Sequence, residues 1–231
     1  MHLAGGACGL FQANWYVVGP AGGDECVIVD PGQDAAEPCR AAVAASGRAV
    51  AAVLATHGHP DHVADAAVLA DGYGVPLFIH GADRFLLADP AAGLSPDAAP
   101  FLAALCPDGL QVPSDVREYS LDGDSGRGLV SAGGLDFQLA HAPGHTAGCV
   151  LLRLAGPPPV VFTGDVLFAG SIGRTDFLVG DAAAMRRSLR DQVLPLPDAA
   201  ILLPGHGPAT DMARERRANP YLQPSFLAGD A

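Results

Sequence analysis

Within Thr56-His57-Gly58-His59-Pro60-Asp61-His62, three imidazoles and one carboxylate fall in six consecutive positions. Side chains two apart share a face of an extended backbone, so His57 and His59 point the same way as the chain leaves a strand. Pro60 restricts the residue before it and favours a turn, which can bring Asp61 and His62 round to the same spot. Imidazole nitrogen with carboxylate oxygen suits zinc, and also iron or manganese. Packing alone explains such a cluster poorly, because buried polar groups without partners are costly.

Three further metal-competent residues follow apolar runs. His145 stands in Pro143-Gly144-His145 after Leu135–Ala140, Asp165 in Thr163-Gly164-Asp165 after Val160–Phe162, and His206 in Pro204-Gly205-His206 after Ile201–Leu203. The glycines let the backbone turn sharply and come close to an ion. Seven candidate ligands, each at a strand end, exceed the three that a catalytic zinc with an open position takes from protein. Two divalent ions about 3.5–4 Å apart, sharing a hydroxide of lowered pKa, fit the number better, and the carboxylate of Asp165 can bridge them.

A frame must hold these positions. Ala13–Val18 and Glu25–Asp30 read as paired strands around the Gly/Pro turn at 19–23. Asp34–Ser46 reads as a helix stopped by Gly47, and Ala49–Ala55 as the buried strand that feeds the histidine loop. His62–Asp71 is predicted as one helix beginning at the site, Val75–Ile79 as a strand and Ala82–Ala88 as a short helix. Residues 89–115 carry five prolines and little periodicity, and read as an excursion loop at the rim that borders substrate or is a plain insertion. Beyond it, strands are predicted at Val116–Leu121, Gly128–Val130, Leu135–Ala140, Cys149–Leu154, Val160–Thr163 and Ala200–Leu203. Helices are predicted at Asp181–Gln192 and Asp211–Ala218. Two strand blocks with helices predict a single α/β domain over 1–231, two sheets face to face with helices outside.

Composition excludes several functions. The net charge of −12 argues against a nucleic-acid partner, since six arginines crowd the C-terminal quarter and leave the rest strongly acidic. All 13 basic residues are arginine, so no lysine nucleophile or Schiff base is available. Five widely spaced cysteines without a C-x-x-C imply neither a disulfide framework nor a Cys-rich zinc knuckle. No signal-like N-terminus and no long apolar stretch are present, so no membrane span and a cytoplasmic location are expected. Of the remaining candidates, Asp30 ends a strand and can support a ligand histidine or cap a turn. His80 and His141 read as structural, and His2 as a solvated tail.

His-x-His-x-Asp-His, followed by Gly-His, Gly-Asp and Gly-His, resembles the metallo-β-lactamase superfamily over nearly the whole chain. Gly164–Phe168, Gly170–Asp176, Pro204–Pro208 and Glu215–Pro220 resemble its short bacterial glyoxalase II branch, the hydroxyacylglutathione hydrolase-like enzymes. The resemblance implies an αββα sandwich of two mixed β-sheets. It implies that His57, His59 and His145 hold one ion, that Asp61, His62 and His206 hold the other, and that Asp165 bridges. The ions would be two divalent cations of the zinc type. The implied reaction is hydrolysis of a small-molecule thioester, of the S-2-hydroxyacylglutathione or an analogous thiol, by a metal-bridging hydroxide that Asp61 orients. Arg174 stands where a basic substrate contact is expected, or else pairs with Asp176. The chain ends soon after Pro220, where full-length glyoxalase II carries a glutathione-holding helical domain, and it has no lysine for the thiol's carboxylates. Two alternatives share the scaffold: a mononuclear iron persulfide dioxygenase, similar at Gly173–Phe177, and a lactonase or other ester or amide hydrolase.

Overall fold

Two six-stranded mixed sheets make the framework. The first runs β1 (His2–Cys8), β2 (Ala13–Gly19), β3 (Glu25–Val29), β4 (Ala49–Leu54), β5 (Leu77–Ile79) and β6 (Val116–Glu118), in that spatial order. Its first three strands are antiparallel and β3 to β6 are parallel. The second holds β7 (Arg127–Ala132), β8 (Leu135–His141), β9 (Val150–Leu154), β10 (Val160–Gly164), β11 (Ile201–Pro204) and β12 (Thr210–Asp211). All its pairs are antiparallel except β10 with β11. The structure is a computed structural model that describes residues 1–95, 99–107 and 109–229.

Period-two alternation builds three apolar layers from these strands. Val18, Val27, Val29 and Leu54 of the first sheet meet Phe137, Leu139, Val150, Leu152 and Phe162 of the second between the sheets. The alternate residues Val17, Ile28 and Val53 point outward against Cys39 and Val43 of helix α1 (Ala36–Ser46) and Leu69 of α3 (Ala66–Tyr73). On the other outer face Leu151, Val161 and Leu202 receive Met185 of α5 (Ala182–Ser188), Leu189 and Val193 of the π-helical turn after it, and Met212 of α6 (Met212–Ala218). Asp181 caps α5 by accepting from the Ala183 and Ala184 amides at 2.8 and 2.9 Å. The αββα architecture predicted above is therefore the one observed.

Three expectations need correction. The N-terminal segment is no solvated tail: His2–Cys8 pairs along its whole length with β2, and His2 is half-buried. Its alternation of small residues, HLAGGAC, carries too little hydrophobic contrast to read as a strand. The helix predicted at His62–Asp71 is two, α2 (Pro60–Val63) and α3. It breaks at Asp65, whose amide donates to the Pro31 carbonyl and whose carboxylate accepts from the Ala36 amide at the start of α1. Within 89–115, a 3₁₀ turn (Pro90–Gly93) and helix α4 (Ala99–Leu105) replace the expected irregular loop, while 96–98 and 108 lie outside the described residues. A last helix, α7 (Pro224–Leu227), packs against α5. Among the described residues no helix is long and apolar enough to cross a membrane.

Candidate metal centre

The seven side chains singled out by spacing meet at one end of the sandwich. Four of the five imidazoles, all but His59, are oriented through one ring nitrogen. Thr56 donates its hydroxyl to Asp30 Oδ2 at 2.6 Å, so that hydroxyl can only accept from His57 Nδ1, 3.1 Å away. His62 Nδ1 faces Asp30 Oδ2 at 3.3 Å. His145 Nδ1 donates to the Arg174 carbonyl at 2.8 Å and His206 Nδ1 to the Phe11 carbonyl at 3.0 Å. These anchors leave the Nε2 lone pairs of four histidines directed into the site, the arrangement in which a neighbouring polar group sets the tautomer for metal binding.

The potential ligand atoms of His57, His59 and His145 lie within 4.8 Å of one another, and so do those of Asp61, His62 and His206. Asp165 stands between the groups. Its Oδ1 is 3.4 Å from His62 Nε2, and its Oδ2 is 3.4 Å from His145 Nε2 and 3.6 Å from His206 Nε2. The donor set fits two cations on structural grounds. His57 Nε2 and Asp165 Oδ1 are buried with no hydrogen-bond partner. His59 Nδ1 faces His145 Nε2 at 2.8 Å, and His62 Nε2 faces His206 Nε2 at 3.2 Å, so a proton or a cation must separate each pair. Asp30, Thr56 and the backbone satisfy one another, which makes Asp30 a support for His57 and His62: it accepts from the Thr56 amide and hydroxyl and from His62.

Electrostatics separates the two groups. In the all-histidine group, burial holds His57 well below the usual imidazole range, His59 down at about 3 and His145 at about 4, as neutral donors. In the mixed group, burial opposes the charged imidazole, but Asp165, Asp61 and Asp30 take His62 up to about 10. Burial likewise lowers His206, yet its hydrogen bond to Asp61 and the charge of Asp165 leave it raised. Asp61 is kept ionised against its burial by His62 and His206, whereas burial wins at Asp165 and raises it. Protons in the mixed group thus stand where a cation would displace them.

Close approach makes the centre possible. A Cβ on Gly205 would lie 2.1 Å from Asp165 Oδ1 and 2.7 Å from His62 Cε1, so only glycine fits there. The first sheet grips this His206 loop: Asn14 Nδ2 donates to the carbonyls of Pro204 and Gly207 at 2.9 and 2.8 Å, and the Tyr16 hydroxyl donates to Pro204 at 2.7 Å. Asp83, fully buried and passed over in the sequence, ties two ligand loops together. It accepts from the Gly58 amide at 2.9 Å, the Gly148 amide at 2.7 Å and the Thr146 hydroxyl at 2.6 Å. An aspartate soon after a strand gives no local sign of such a role.

Above the ligands opens a cavity of about 490 Å³, walled by Phe11, Leu94, Phe101, Leu105, Phe168 and Phe177. Phe168 is positioned by the C-terminal motif, because Asn219 Nδ2 donates to the carbonyls of Phe168 and Ser171 while Glu215 accepts from the Gly170 amide. Arg174 lines the cavity, but its guanidinium is bidentate on Asp176 at 2.7 and 2.8 Å and covers the Phe177 ring at 4.1 Å. His80 and His141 lie outside both groups and stack on each other, with ring centroids 4.2 Å apart. The five cysteines are free thiols, Cys26, Cys39 and Cys149 being buried.

Two sheets that converge strand-end histidines and aspartates beneath an apolar cavity define a metal-dependent hydrolase scaffold. The chain belongs to the metallo-beta-lactamase superfamily, whose sequence profile matches residues 8–206. A Mycobacterium tuberculosis protein is 40% identical over 96% of this chain and 98% of its own. The Haemophilus influenzae hydroxyacylglutathione hydrolase GloC is 35% identical over 84% of this chain and 86% of its own. Among solved structures, the BLEG-1 B3 metallo-beta-lactamase superimposes with a TM-score of 0.82 at 31% identity, covering 96% of this chain and all of that one. TTHA1623 in a di-iron-bound form does so with a TM-score of 0.75 at 33% identity, covering 95% and 100%.

Proposed function

We propose that this protein is a binuclear metal-dependent hydrolase that cleaves a small-molecule thioester of the 2-hydroxyacyl type. The observation that carries this is Asp165 between two ligand groups, with contacts to His145 on one side and His62 and His206 on the other. The named activity of GloC supports the thioester, and the di-iron form of TTHA1623 supports two ions. His57, His59 and His145 would hold one ion, Asp61, His62 and His206 the second, with Asp165 shared. Zinc, iron and manganese all suit these donors. Bound there, the ions supply Lewis acidity toward the carbonyl oxygen and a water of lowered pKa.

The chain's own groups do the rest. Asp61, with Oδ2 3.3 Å from His206 Nε2, keeps its carboxylate ionised and can orient the attacking water by accepting a hydrogen bond from it. Water adds to the thioester carbon, the C–S bond breaks, and the thiolate leaves with one of the water's protons as a thiol, while the acid product releases the other to solvent as it ionises to a carboxylate. Phe168 and Phe177 shield the reacting carbonyl from bulk water. The net charge of −12 fits a small-molecule substrate in the cytoplasm and no nucleic-acid partner.

Metal-reconstituted protein should release thiol from 2-hydroxyacyl thioesters. Asp165→Ala should bind fewer than two ions and lose turnover; a D165A protein with full metal content and full activity overturns the assignment. A one-iron persulfide dioxygenase is the competing reading. The complete Asp61, His62 and His206 group favours two ions, and oxygen uptake on glutathione persulfide without thioester cleavage would reverse the order.

A further inference from the structure

Four of the nine phenylalanines in the chain line the one cavity above the ligands. They come from separate segments: the turn before β2, helix α4, and two points in the stretch after β10. Phe177 meets His59 and His145 edge-on, with centroids 5.2 and 5.9 Å apart, and Phe168 meets His206 at 5.7 Å. The outer pair, Phe11 and Phe101, touch each other at 5.7 Å yet stay 41% and 49% exposed. Exposed aromatic rings gathered around a concave site mark a binding surface for apolar matter.

Charge is scarce on this wall. Apart from the ligands, Arg174 is the one ionisable side chain among the described residues that line it, and its guanidinium is bidentate on Asp176 through Nε and Nη2. The wall therefore offers desolvation and ring contacts where a small hydroxyacyl group such as lactoyl, with a single methyl, would leave most of it wet. A cavity of about 490 Å³ has room for an aromatic ring beside a scissile carbonyl.

Resting on the hydrolase reading above, we infer that the acyl group of the substrate carries a bulky, uncharged apolar substituent at least as large as a phenyl ring, seated among Phe11, Phe101, Phe168 and Phe177. The test compares two acyl groups that differ by one ring: lactoyl and 2-hydroxy-2-phenylacetyl. The free acids, lactate and 2-hydroxy-2-phenylacetate, are titrated calorimetrically into the metal-loaded protein, and both thioesters of one thiol are assayed for kcat/KM. The phenyl acid should bind at least tenfold tighter and its thioester should react at least tenfold faster. Phe101→Ala and Phe11→Ala, both at exposed rings, should each shrink the binding ratio, and the double variant should bring it within threefold of one. Thermal melting checks that these variants are folded, and Phe101→Leu, which keeps apolar bulk, should retain part of the ratio. Equal binding of the two acids, tighter lactate, binding of neither, or a ratio unmoved in the folded double variant overturns the inference. Cleavage of neither thioester, with the acids still discriminated, overturns the thioester reading and leaves the acyl preference standing.

Discussion

Replacing Asp83 with Asn keeps the shape of a buried side chain and removes its charge. The carboxylate serves three donors, Oδ2 taking the Gly58 amide and the Thr146 hydroxyl and Oδ1 taking the Gly148 amide. With the amide oxygen at the Oδ2 position, the new NH₂ faces the Gly148 N–H, two donors in one buried contact. The lost charge-assisted bond is worth about 1.5–3 kcal/mol and the stranded buried donor about 1–3 kcal/mol, so D83N should lose about 2.5–6 kcal/mol of stability. The loss should not fall evenly on the centre. Gly58 lies between His57 and His59, and Thr146 follows His145, so Asp83 holds the loops of the all-histidine group and touches none of Asp61, His62 or His206. Loosening such a support lowers metal affinity about 10–100-fold. Denaturant unfolding of the metal-free protein measures the first quantity, and competition against a chromophoric chelator measures the second for each equivalent of metal. One equivalent should weaken and the other hold. Gly148→Ala should do the same, because its Cβ would lie 2.5 Å from Asp83 Cγ. A D83N protein that is destabilised but binds both equivalents with unchanged affinity refutes the reasoning.

Phe162, fully buried between the sheets with Tyr16 at 5.2 Å and Phe137 at 6.4 Å, should cost about 3–5 kcal/mol when replaced by Ala, measured by denaturant unfolding. Burial and the stacked His141 push the half-buried His80 down to about 4, so its ring proton resonances should titrate near pH 4 in the native protein. The unfolded chain then takes up that proton first as pH falls, so the stabilising contribution of His80 is present above pH 6.5 and lost as pH drops toward 4; a native titration near 6.5 would contradict this. Burial raises the thiols of Cys26, Cys39 and Cys149, and a thiol reagent at neutral pH should leave them unmodified until denaturant exposes all five cysteines.

Which side chains converge at the candidate centre was legible in the chain because metal coordination restricts residue type and spacing together. Three imidazoles and a carboxylate in six positions after an apolar run, and three Gly-His or Gly-Asp pairs after others, leave few alternative uses. The two sheets were legible for a related reason: strands such as Val27-Ile28-Val29 and Leu151-Leu152 are buried on both faces and stand out as apolar runs. Elements whose signal is small or whose boundary is set from elsewhere were not legible. β1 is built from alanine and glycine, and the break between α2 and α3 depends on Asp65 reaching Pro31 and Ala36.

What only tertiary structure decided is which groups hold the ligands and what surrounds them. Asp83, Asn14 and Tyr16 act across 25 to 193 residues of sequence, and such distances leave no local pattern. Glu215 and Asn219, conspicuous in the sequence without a stated purpose, prove to hold the turn that carries Phe168 to the cavity. The four phenylalanines of the wall are spaced with no periodicity, so their meeting is a property of the folded surface alone. Coordination chemistry is written in residue types and short spacings, whereas the support and shape of a site are sums of long-range contacts that exist only once the two sheets have closed on each other.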